Sequence, residues 1–195
     1  MNQPSQASRT DSSIAPGPWL LAGLILLAAL SRLLPHPPNF SPVEAIALFG
    51  GAFFASRALA LVVPLLAMLL ADVALGFVHG GLYAGWFGSA GFWLVYLCIA
   101  ASVLLGFGLR GRAGAGRVLA YSLAGSVLFF AVTNFGAWLA SPVYAPNAAG
   151  LLQAYVAGIP FFQWTVLGTI AYAALLFGGF AMLRARLPVL RARTV

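Results

Sequence analysis

The chain has 195 residues, of which 7% are charged and 62% are hydrophobic. A soluble domain needs about a quarter of its residues charged to face water, so a water-soluble globule is excluded and lipid is the natural surround. The net charge is +7, but all ten basic residues are arginines in short clusters flanking apolar runs. That is the pattern of cytoplasmic membrane flanks rather than of a nucleic-acid-binding face, and no nucleic-acid partner is expected. The single cysteine, Cys98, excludes a disulfide within the chain and a cysteine-based metal cluster.

In chain order, residues 1–16 are polar and Ser-rich and read as a disordered tail. The run 18–34 follows and ends at Ser31-Arg32-Leu33-Leu34-Pro35 without a small-x-small cleavage pattern, so it reads as a retained helix. Further apolar runs occupy 58–78, 91–109, 118–140 and 161–183, each of the order needed to cross a hydrocarbon core of about 30 Å. The stretch 43–56 is short, roughly 21 Å as a helix. Charge decides its role. If it spans, the N-terminal tail, Arg57, the Arg110–Arg117 loop, Arg184 and the basic tail 185–195 fall on one side, with nine of ten arginines. The positive-inside rule then predicts an all-α membrane protein with a single bundle of six transmembrane helices over 17–184 and both termini in the cytoplasm. Its location is expected to be the bacterial cell (inner) membrane.

The connections opposite the arginines are longer and rich in Pro, Gly and aromatics: 35–42, 79–90 and 141–160. In the last, Asn147 is placed to cap a short interfacial helix over 148–157, ahead of the final span. Tyr83, Trp86, Trp93, Trp138, Tyr144, Tyr155 and Trp164 gather toward this boundary. Small residues at Ala47, Gly51 and Ala55 permit close helix packing.

Ionisable groups within a membrane are costly and mark functional candidates. Asp72 lies six residues, roughly 9 Å, before the end of its run, with His79 at i+7 on the same face. Asn134 lies at a matching depth, with Trp138 one turn above it. Gln163 and Trp164 open the last run, and Glu44 opens the short second one. The polar groups therefore concentrate toward one boundary. This predicts a cup open to the outside, lined by Asp72, His79, Asn134, Trp138, Gln163 and Trp164, with Asn39 and Glu44 at its rim. The half nearer the arginines reads as almost purely apolar, against a channel or proton relay through the full depth. No phosphate loop or His-Glu-x-x-His motif occurs, so neither an enzyme nor a resident metal or cofactor is expected.

The segment from Arg32 through Pro35-His36-Pro37-Pro38-Asn39-Phe40-Ser41-Pro42 to Gly51 is distinctive. With Asp72–Gly76, Thr133–Trp138 and Gly158–Phe162, it resembles an uncharacterised family of small bacterial membrane proteins over about residues 17–183. That family in turn is similar, by size, six helices and an outward polar cup, to the substrate-binding S components of energy-coupling-factor vitamin transporters. The resemblance implies uptake of a small vitamin-like molecule, with a separate coupling and ATPase module as partner beside the lipid bilayer. Many S components carry an Ala-x-x-x-Ala pattern in the first helix, which the run 20–30 lacks. The alternative is a structural or assembly protein whose polar groups tie helices together.

Overall fold

The computed structural model describes residues 16–80, 85–187 and 190. Among them the chain is all-α, with six helices. These are α1 (Pro16–Leu30, continued by a 3-10 turn over Ser31–Leu33), α2 (Val43–Phe53), α3 (Arg57–His79), α4 (Ala90–Phe107), α5 (Ala115–Ala140) and α6 (Ala148–Arg186). Four of them, α3, α4, α5 and α6, are long and apolar enough to cross a membrane; α1 and α2 are shorter. The expected tail over 1–16, Tyr83 and the terminal arginines Arg191 and Arg193 lie outside the described residues, save for Pro16 at the start of α1.

Side-chain caps set several helix starts. Ser56 Oγ accepts from the Leu59 N–H at 3.3 Å, Ser89 Oγ from Phe92 at 3.1 Å, and Asn147 Oδ1 from Gly150 at 3.0 Å. Each satisfies one of the donors that the first helical turn leaves over. Gly80, at φ 64°, ends α3 by donating to the Gly76 carbonyl.

The short run turns out to be the centre of the bundle. All eleven residues of α2 are buried, as expected for a helix that is apolar around its whole circumference. It contacts each of the other five helices, most extensively α4. The glycine pair Gly50-Gly51 makes this possible. A β-carbon at Gly50 would lie 2.8 Å from Pro64 Cγ and 3.2 Å from the Ala60 carbonyl of α3. One at Gly51 would lie 2.9 Å from the Cα of Gly106 on α4. The small-residue pattern is thus realised as packing at Ala47 and Gly51, whereas Ala55 falls beyond α2 and is exposed. On another side, Phe49 and Phe53 meet Phe177 and Phe180 of α6, with ring centroids 4.8–5.6 Å apart.

Arg110 closes the far end of α2. Its Nε donates to the Gly51 carbonyl at 3.0 Å and its Nη2 to that of Phe54 at 2.8 Å. These are carbonyls a helix C-terminus leaves over. The guanidinium also stacks 4.4 Å from the Phe107 ring centroid. The C-termini of α2 and α4 and the start of α3 therefore share one end of the bundle with Arg57 and Arg110; this is the arginine end. The opposite, loop end holds Arg32, His36 and His79.

One expected boundary is corrected. Residues 148–157 are not a separate interfacial helix; they begin α6 and run through Gly158 and Pro160 without a break. Gly158 keeps a helical backbone because it serves packing: the Asn134 side-chain amide of α5 occupies the place its β-carbon would take. Pro160 removes one N–H but leaves the rest of the ladder, which intramembrane helices tolerate. Residues Ala174–Gly178 form a π turn within α6, which ends with Arg184 and Arg186 in its last turn.

Candidate functional site

The Pro-rich loop between α1 and α2 builds the site. The Phe40 N–H donates to the Pro37 carbonyl at 3.0 Å, closing a turn with Pro38 and Asn39 at its centre. Asn39 has φ 65°, the one non-glycine residue with positive φ among those described. Proline followed by a residue of positive φ is the type II arrangement, and asparagine tolerates it better than other side chains. The turn directs the chain back into the bundle. There the backbone of Phe40 and Ser41 lies against Gly168 of α6, whose β-carbon would sit 2.7 Å from the Ser41 nitrogen. We expect Asn39→Gly to be tolerated and Asn39→Val to lower stability by about 1–2 kcal/mol. Thermal unfolding of the two detergent-purified variants checks this.

Beneath the loop lies a cavity of about 210 Å³, to which α2 to α6, the turn after α1 and the α3–α4 link all contribute. Its polar walls are Arg32, His36, Asn39, Ser41, Glu44, Asp72 and Thr165, with Trp86, Met68 and Phe129 among the apolar ones. Two further cavities adjoin it. One of about 420 Å³ shares Arg32 and His36 and adds His79. The other, of about 220 Å³, shares Asn39 and Thr165 and adds Asn134.

Asp72 is 2% exposed, and both its oxygens are engaged. Arg32 Nη1 donates to Oδ1 at 2.6 Å and the Tyr96 hydroxyl donates to Oδ2 at 2.9 Å. The carboxylate thereby joins α1, α3 and α4 and fixes the guanidinium at the cavity wall; Arg32, rather than Asp72, presents donors there. Glu44 is also 2% exposed. Its Oε2 accepts from the Thr169 hydroxyl at 3.2 Å, and its Oε1 has no partner among the described residues.

Of the eight residues expected to line one cup, Asn39, Glu44 and Asp72 meet in the central cavity. His79 lies on the far side of Arg32, with Nδ1 3.2 Å from the Leu75 carbonyl. Asn134 donates to the Phe130 carbonyl of its own helix at 2.8 Å. Trp138, Gln163 and Trp164 line none of the three cavities. Trp138 holds the following loop through the Ala145 carbonyl, and Gln163 turns back to the Pro160 carbonyl.

The expectation of an almost purely apolar half toward the arginines needs amending. Ser102 on α4 and Ser122 and Ser126 on α5 bury hydroxyls with no partner among the described residues. Buried hydroxyls are normally bonded, often to a carbonyl one turn back. Ser102 sits beside Glu44: a β-carbon at Gly125 would lie 3.6 Å from Glu44 Cβ and 3.8 Å from Ser102 Oγ. Ser122, two turns from the start of α5, also lines an apolar cavity of about 390 Å³ with Val118, Ala173 and Phe177. Polarity therefore continues from the loop-end cavity to mid-bundle.

Neither the curated proteins nor the solved structures contain a match to the chain. A family model does match, over residues 12–190, nearly the full length and the whole of the bundle just described. The chain belongs to DUF6580, a family of unknown function.

Proposed function

We propose that the protein is a six-span component of the bacterial cell membrane that binds a small polar molecule from outside for uptake. In this reading the arginine end faces the cytoplasm, because Arg57, Arg110, Arg112, Arg117, Arg184 and Arg186 flank the helices there. The cavity beneath the Pro-rich loop then opens outward. The observation that carries the proposal is the convergence of Arg32, Asn39, Ser41, Glu44 and Thr165 on one space within otherwise apolar helices. Polar groups are expensive in that setting and are retained where they contact something. At about 210 Å³, the cavity falls below the roughly 300–1,000 Å³ of drug-sized sites, so its ligand is smaller than a typical vitamin. A separate coupling module remains a proposed partner.

A second reading, a non-catalytic assembly protein, is favoured by Asp72, whose bonds to Arg32 and Tyr96 are those of a structural tie. Mass spectrometry of small molecules that co-purify in mild detergent separates the two. On the binding reading a defined compound is retained by the native chain and lost in Ser41→Phe, which places a ring in the cavity. Retention of nothing, or equal retention by the variant, favours the assembly role.

A further inference from the structure

Glu44 is a buried carboxyl with no ion pair among the described residues. Arg32, the nearest cation lining the same cavity, is bonded to Asp72 at 2.6 Å. Thr169 is the one side-chain donor to Glu44 among the described residues, and Oε1 has no partner among them. Around it stand hydroxyls: Ser102 of α4 beside Gly125, and Thr165 and Thr169 of α6. Titratable groups on the surrounding elements toward the cavity include Asp72, His36 at its wall, Cys98 and Tyr96 on α4, and Tyr172 on α6, whose hydroxyl is bonded to Ser31. The first turn of α2 contributes only the partial charge of a helix N-terminus, about half a unit. A carboxylate buried without a cation is expensive enough that it takes up either a proton or a positive ligand.

We propose that Glu44 is an exchange site, which holds a proton until a small ammonium-bearing molecule enters the cavity and takes its place. This rests on the binding reading above and gives the ligand its chemical class. On entry the Glu44 O–H bond breaks and its proton passes to water. The ammonium N–H groups then donate to Oε1 and to the neighbouring hydroxyls. One positive charge arrives and one proton leaves, so the buried charge is unchanged. Trp86 lines the same cavity, and an aromatic ring there attracts a cation that stacks on its face. The volume of about 210 Å³ lies below that of drug-sized sites, which suits an amine of a few carbons.

Infrared spectroscopy of the purified full-length protein at neutral pH tests this, with methylammonium, dimethylammonium and ethanolammonium chlorides as probes. The expected result is a protonated-carboxyl band in the native protein that is missing in Glu44→Gln. At least one probe should abolish it and release a stoichiometric proton in weakly buffered solution, while sodium chloride leaves it in place. Absence of the band, or its persistence with all three probes, overturns the proposal. A neutral or anionic compound that co-purifies with both the native chain and Glu44→Gln would also overturn it, while leaving the binding role standing.

Discussion

Gly106→Val is expected to abolish the folded bundle. A β-carbon at Gly106 would lie 3.0 Å from the Cα of Gly51 and 3.0 Å from that of Leu48, both in the backbone of α2. No rotamer change relieves a contact with backbone; only separation of α2 from α4 does. That separation would loosen a helix buried along its entire length. Core overpacking usually costs about 1–3 kcal/mol where side chains can shift. Here the cost is expected above about 4 kcal/mol, a large part of the 5–15 kcal/mol that holds a typical protein. Gly23→Ala is the matched control, because a β-carbon there meets nothing within 4 Å. It should be neutral or raise stability by up to about 1 kcal/mol through helix propensity. Thermal unfolding and the monodisperse yield after extraction measure both; a Gly106→Val variant as stable as the native chain would contradict the packing described.

Asp72→Ala is expected to cost about 3–5 kcal/mol, the usual penalty for breaking a buried ion pair from one side. The loss has two parts. Arg32, whose side chain is 15% exposed, is deprived of its carboxylate, and the Tyr96 hydroxyl loses its acceptor. Tyr96→Phe removes only the second and should cost about 1 kcal/mol. The double replacement Arg32→Met with Asp72→Leu should be milder than Asp72→Ala alone, since apolar residues of similar volume can replace a buried pair at little cost. If Asp72→Ala unfolds at the native temperature, the carboxylate is not a tie between helices.

Much of the architecture was readable before any coordinates. The long apolar runs became α3, α4 and α5, and Asn147 caps a helix start where expected, although that helix is the long α6 rather than a short interfacial one. The short second run was readable as a helix, but its place was not. Length and charge sidedness concern the membrane normal, whereas the glycine pair Gly50-Gly51 concerns what lies beside the helix. The same limit explains the site. Asp72 and Glu44 announced themselves as ionisable groups in apolar surroundings. Asn134 shares their depth but not their bearing around the bundle axis, and its side chain is satisfied by its own helix. Arg32 and His36 were not among the residues expected to line the cup, yet both line the cavity beneath the loop that Asn39 turns inward. The hydroxyls of Ser102, Ser122 and Ser126 gave little signal, since single serines in apolar helices usually bond their own backbone.

The enclosed position of α2 also bears on the order in which the bundle is made. Eleven residues rise roughly 16 Å, about half of a hydrocarbon core, and one of them is Glu44. Such a segment has no stable existence as a lone helix surrounded by lipid. It becomes favourable once α3 and α4 supply the surfaces that receive Gly50 and Gly51. Membrane helices generally insert first and associate afterwards; on the six-span reading proposed above, one helix has its place only in the second stage. The Pro-rich loop and the three-residue link before Arg57 are the tethers that deliver it. A nascent chain halted after α2 would therefore hold this segment outside the bilayer core, and its entry would await synthesis of α4.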